Sequence, residues 1–151
     1  MVNNRPTWDN YFMNIAKAVS LRSTCLRRKY GAIIVKDKII VATGYNGSPS
    51  GKENCCDRGT CKREELKIPS GKNYELCESV HAEANAIIHC DAEKMKGADI
   101  YIYGTNADGS IASGKPCLMC RRMIINAGIE NVFYFDTAKN DFIWISPEDI
   151  Q

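Results

Sequence analysis

His81 and Glu83 stand two positions apart in "SVHAEANAI", and Cys117 and Cys120 form a CxxC pair in "KPCLMCRRMI". A CxxC pair taken alone suits a redox centre, half of a zinc knuckle, or two buried thiols. Position separates these readings. Both groups fall where a predicted helix begins after a strand or loop, and such positions gather on one edge of an α/β sheet, where helix N-termini favour thiolates. One imidazole and two thiolates supply three zinc ligands and leave the fourth tetrahedral position to water, as in catalytic rather than closed structural sites. Zinc lowers the pKa of that water. Glu83 is placed near the metal without being needed as a ligand, so it can take the water's proton and later return it, as general base and then general acid.

The elements that must position these residues follow from periodicity. Trp8, Tyr11, Phe12, Ile15, Ala18 and Val19 recur at helical spacing after Pro6, which predicts an amphipathic helix from residue 7 to about 22. "YGAIIVKDKIIVATGYNG" predicts a β-hairpin around Lys36-Asp37-Lys38. Residues 47 to 77 carry four of the eight cysteines, many polar residues and little periodicity. A segment that long without regular structure is either functional or pinned non-covalently, and a metal would serve. After it, "HAEANAIIHCDAEKMK" reads as a helix, "GADIYIYG" as a strand, "CLMCRRMIINAG" as a helix ending at Gly128, and "IENVFYF" as a strand. The order β-β-α-β-α-β implies a sheet covered by helices, its later strands parallel.

Composition narrows the function classes. A chain of 151 residues, 44% hydrophobic, is of single-domain size, and residues 1–151 are read as one domain. Twenty Lys and Arg against 18 Asp and Glu give a formal +2, too balanced for the broad basic face of a polynucleotide binder. The N-terminus shows neither an export signal nor a membrane-spanning run, so no membrane association and a cytoplasmic location are expected. In that compartment thiols stay reduced, and eight cysteines favour metal ligation over disulfides.

"HAE" followed by "PCLMC" resembles the signature of the zinc-dependent cytidine deaminase superfamily. "RSTCLRRKYGAIIVKD", "ATGYNGSPSG", "IPSGKNYELCESVHAEANAI" and "PCLMCRRMIINAGI" together resemble the deoxycytidylate (dCMP) deaminase family across roughly residues 8 to 135. The resemblance implies a cytidine deaminase-like three-layer α-β-α sandwich with a mixed central sheet. It implies hydrolytic deamination of dCMP to dUMP and ammonia, supplying dUMP for thymidylate synthesis. His81, Cys117 and Cys120 then hold a catalytic zinc and Glu83 shuttles the proton. Backbone amides near Ala82 read the pyrimidine edge, and Asn46 in "GYNG" matches the asparagine that holds the sugar; a turn residue beside glycine is the alternative.

Some members of the family carry a second, structural zinc. Cys25, Cys55, Cys61 and Cys77 are the favoured ligands, with Cys56 spare, although adjacent Cys55 and Cys56 cannot be told apart by position. Arg22, Ser23 and Arg27 in "SLRSTCLRR" are candidates for the 5′-phosphate; merely capping and solvating the helix end is their alternative. The family also implies a homo-oligomer, a hexamer by resemblance and otherwise a closed dimer or tetramer, and dCTP and dTTP as effectors near Gly44, Tyr45 and Gly47; "FIWI" is an apolar segment available for burial between subunits. One departure is the interposed "GTNADGSIASGK", residues 104–115, expected to form a turn or lid. The rival readings are a deaminase of another cytosine or purine compound, and a noncatalytic zinc-stabilised binding module.

Overall fold

The computed structural model describes residues 4–69, 72–73 and 76–151. Helix α1 spans Trp8–Ser20; Thr7 caps it by accepting the Asn10 N–H at 3.2 Å, and Asp9 sits in the first turn, where the helix dipole favours an acid. Strands β1 (Arg28–Lys36) and β2 (Ile39–Tyr45) form the expected hairpin. Its turn residues Asp37 and Lys38 both take positive φ, 50° and 66°, the left-handed pair whose twist matches antiparallel strands.

The irregular segment contains two single-turn helices, α2 (Cys55–Arg58) and α3 (Lys62–Glu65). Gly47 and Val80 close its ends by exchanging backbone hydrogen bonds of 3.2 and 2.7 Å. Glu78 ties it internally, accepting Arg58 at 3.1 Å and pairing with Lys62 at 3.5 Å.

The helix expected from His81 onward is two helices, α4 (Ala82–Ile88) and α5 (Ala92–Met95). The chain breaks between them because Cys90 N–H turns back to Ile87 O and Asp91 adopts an extended conformation as the next N-cap. Strand β3 (Asp99–Asn106) follows, then α6 (Leu118–Ala127), which Gly128 ends at φ 82°, and β4 (Asn131–Asp136). The "FIWI" segment forms a fifth strand, β5 (Asp141–Ile145), at the edge of the sheet, with Trp144 exposed. It pairs antiparallel with β4, and the rings of Phe142 and Trp144 lie 5.8 and 4.8 Å from that of Phe133. The chain closes with a 3₁₀ turn, Pro147–Asp149.

The sheet order is β2-β1-β3-β4-β5, antiparallel except for the parallel β3–β4 pair. Strand alternation builds two cores from one sheet. Ala32, Ile34, Ile100, Ile102, Val132 and Tyr134 face α4 and α6, burying Ala82, Ala86 and Ile124. Ile33, Val35, Tyr101, Tyr103 and Phe133 face α1, whose Phe12, Met13 and Ala16 are buried against them. Each such large apolar side chain contributes about 1.5–3 kcal/mol on leaving water. Asp9 ties the second core to the sheet edge, accepting Tyr101 Oη–H and Trp144 Nε1–H, each at 3.0 Å. The result is a mixed sheet between helical layers, the expected α-β-α sandwich.

Gly44 sets how closely α4 approaches the sheet. A Cβ there would lie 2.3 Å from Ala86 N and 2.5 Å from Ala82 O, so only glycine lets the start of α4 rest on β2. Asn85 fixes the same approach by donating to Tyr45 O at 2.8 Å.

Candidate active site

His81 is the N-cap of α4 and Cys117 the N-cap of α6, so two neighbouring helices deliver their first residues to one edge of the sheet. The Nδ1 atom of His81 lies 3.5 Å from Cys117 Sγ and 3.4 Å from Cys120 Sγ. Cys117 Sγ also accepts the Cys120 N–H at 3.5 Å, which folds the CxxC pair around the helix start. Among the described residues, these three form the one group of His, Cys, Asp or Glu donors gathered closely enough to hold a metal, all within 4.8 Å of one another.

The electrostatics fit a cation at that point. A hydrogen bond from Cys120 and another with His81 hold the Cys117 thiol well below its ordinary range. The same bond pushes Cys120 up, with burial and Glu83 adding to it, so the two shifts are one interaction seen from its two ends. His81 is raised first by its bond with Cys117, against burial. One imidazole and two thiols sharing protons at ligand spacing are a suitable soft-donor set for zinc.

Glu83, in the first turn of α4, lies beside the same donors and is 6% exposed. Burial pushes its carboxyl up, and the nearby His81 pulls it down. A carboxyl held between these opposing influences can both take and give a proton.

These groups open on a cavity of about 160 Å³ that Asn46, Ala82, Arg27, Arg28, Arg63 and Lys115 also line. Roughly 10–15 Å³ by the same measure admits one water, so the space suits a small organic molecule. Asn46 is 7% exposed and its amide is anchored by the fold itself. Its Oδ1 accepts Ser23 Oγ–H and, at 2.9 Å, Tyr30 N–H, while Nδ2 donates to Arg28 O at 2.9 Å. That network fixes which end of the amide is nitrogen and leaves Nδ2 a second hydrogen.

The candidates from "SLRSTCLRR" separate. Arg22 is exposed and does not line the cavity, because the last turn of α1 runs on through hydrogen bonds from Arg22 N to Val19 O and Ser23 N to Ser20 O. Ser23 is buried, its hydroxyl spent on Asn46. Arg27 lines the cavity and pairs with Glu64 at 3.5 Å. Gly44 packs under α4, Gly47 bridges to Val80, and Tyr45 is partly exposed beside them.

Of the remaining cysteines, Cys55 is buried and Cys56 exposed. Burial first, then Cys25, Cys61 and Cys77, push the Cys55 thiol up against the pull of Arg58, so each of the three lies within electrostatic reach of Cys55. They are not drawn into a ligand-distance cluster like that of His81.

Sequence reasoning missed Arg63, 5% exposed, which donates to Pro69 O, Lys72 O and Asn73 O at 2.9, 2.8 and 3.0 Å. It binds the irregular segment together beside His81. Inside "CKREE" nothing distinguished it from a solvated charge.

A buried carboxyl beside a nitrogen-and-sulfur donor set, opening on a cavity at the helix-start edge of an α-β-α sandwich, defines a metal-dependent hydrolytic enzyme. The family model described as "Cytidine and deoxycytidylate deaminase zinc-binding region" matches residues 6–136, and the chain belongs to that family. It is 40% identical over 136 residues to a deoxycytidylate deaminase of Mycobacterium phage D29, covering 87% of this chain and 96% of the phage protein. A Schizosaccharomyces pombe deoxycytidylate deaminase is 35% identical over 91% of this chain, which spans only 39% of that longer protein. The crystal structure of a dCMP deaminase from cyanophage S-TIM5 superposes with a TM-score of 0.60 at 30% identity, covering 85% of this chain and 82% of the other. The same cyanophage enzyme in complex with dCMP and dUMP gives 0.57 at 28% identity, covering 86% and 82%.

Proposed function

We propose that the protein deaminates dCMP hydrolytically to dUMP and ammonia, with zinc held by His81, Cys117 and Cys120. The observation that carries this reading is the buried Glu83 carboxyl beside that donor set, in a chain of this family. Bound zinc supplies Lewis acidity that makes a water nucleophilic near neutral pH. Glu83 would take one proton of the attacking water and deliver it to N3, then take the proton of the resulting C4 hydroxyl as the carbonyl forms and deliver it to the amino group, so that ammonia leaves neutral. The amide at Ala82, at the first turn of α4, reads the pyrimidine edge. The remaining Nδ2 hydrogen of Asn46 holds the deoxyribose.

Support for a second, structural zinc at Cys25, Cys55, Cys61 and Cys77 is that Cys25, Cys61 and Cys77 line one cavity and each acts electrostatically on buried Cys55, whereas Cys56 is exposed. Resemblance alone carries dCTP and dTTP as effectors at the Gly44–Gly47 turn and a closed homo-oligomer, hexameric in that reading. The test of the function is ammonia release from a panel of dCMP, deoxycytidine, cytosine and adenosine. The highest kcat/KM is expected for dCMP; a higher value for any other member overturns the substrate assignment.

A further inference from the structure

The interposed segment between β3 and Cys117 is a built wall, not a loose lid. Asn106 N–H donates to Ser110 O and Ala112 N–H to Gly104 O, each at 2.9 Å, extending β3 into a short hairpin with a Thr105–Ile111 bridge. Gly114 N–H donates to Phe135 O at 3.1 Å. A Cβ on Gly114 would lie 2.9 Å from Ile102 O and from Tyr134 Cβ, so glycine lets the chain lie flush on the sheet. Tyr30 clamps the other side. Its ring fills the space a Cβ on Gly104 would need, 2.3 Å away, and its hydroxyl donates to Ser113 O at 3.2 Å. Two residues past Ser113 is Lys115, exposed and lining the cavity.

Four cations line that cavity, and they differ in what else they hold. Arg27 is paired with Glu64, and Arg63 is engaged by three backbone carbonyls. Lys115 and Arg28 make no ion pair among the described residues. Both are exposed, whereas the acid of the site, Glu83, is buried at its floor. A substrate with an anionic end is therefore oriented with that end at the rim, away from Glu83 and toward Lys115 and Arg28.

We infer that Lys115 is a specificity-determining residue that meets the phosphate of the nucleotide at the cavity rim, and that Tyr30 is the positioning residue that fixes the wall carrying it. This rests on the deaminase reading. The experiment measures kcat/KM for dCMP and for deoxycytidine with wild type, Lys115→Met, Lys115→Arg and Tyr30→Phe, with melting temperature and zinc content recorded for each. Lys115→Met is expected to lower the dCMP-to-deoxycytidine ratio about ten- to a hundredfold, the scale of one charge-assisted hydrogen bond, mainly through KM for dCMP. Lys115→Arg retains most of the ratio, and Tyr30→Phe lowers it in the same direction by a smaller factor. A ratio unchanged in Lys115→Met, or an equal fold loss on both substrates, overturns the assignment of Lys115; the same result in Tyr30→Phe overturns its positioning role. Wild type that turns over neither substrate fails the deaminase reading instead.

Discussion

At the scale of single residues, the site depends on side chains whose own conformations are fixed by neighbours. Asn46 is the clearest case: three hydrogen bonds orient its amide before any ligand arrives. Ser23→Ala removes one donor while Tyr30 N–H still satisfies Oδ1, so the expected cost is about 0.5–1.5 kcal/mol of stability with a small rise in KM. Asn46→Ala removes the hydrogen bonds that Asn46 makes to Tyr30 N–H and Arg28 O, together with the proposed sugar contact. It is expected to cost about 2–4 kcal/mol and to lower kcat/KM by at least about tenfold. Denaturant melts and steady-state kinetics on the two variants check this ordering, and a Ser23→Ala defect as large as that of Asn46→Ala would refute it. Arg63→Met is the companion case in the irregular segment: three carbonyls lose a buried cation, and a loss of about 2–4 kcal/mol is expected in the same melts.

At the scale of elements, the site exists because α4 and α6 begin at one sheet edge and α4 lies close against β2. Gly44→Ala drives a methyl group into the backbone of α4, and the helix must shift. The expected result is a stability loss of about 1–3 kcal/mol together with weakened zinc retention, read by competition with a chelator. Wild-type zinc affinity in that variant would show that the spacing of α4 does not govern the donor set. The start of each of these helices was legible because a ligand residue and a change from polar to apolar periodicity coincide at His81 and Cys117. The break at Asp91 was not, since the apolar spacing of "HAEANAIIHCDAEKMK" continues through a residue that prefers the N-cap to the helix interior. β5 was hidden for a different reason: four apolar residues in "FIWI" lack alternation, and their strand character comes from pairing with β4. The donor set was readable in residue types, whereas Arg28, Arg63 and Lys115 reach the cavity only through the path of the folded chain.

At the scale of the whole molecule, zinc and fold are expected to be linked. Zinc at a thousand times its dissociation constant adds about 4 kcal/mol, or roughly 8–16 °C in melting temperature for a chain of this size. Chelation should remove that increment and added zinc restore it, followed by circular dichroism; a melting temperature indifferent to chelator would contradict the linkage. Elemental analysis is expected to give close to two zinc ions per chain, falling to one in Cys55→Ser but not in Cys56→Ser. A single zinc in the fully loaded wild type removes the structural site. No helix among the described residues is long and apolar enough to cross a membrane. The central claim is that Glu83 moves the protons of a deamination at the His81-Cys117-Cys120 centre. It is tested most directly by assaying wild type and Glu83→Gln with dCMP while measuring zinc in the same samples. Wild type is expected to form dUMP and ammonia in equal amounts. Glu83→Gln is expected to keep its zinc and lose at least about 10²–10⁴-fold in kcat. Turnover by the variant at the wild-type rate, or no dUMP from the zinc-loaded wild type, would contradict it.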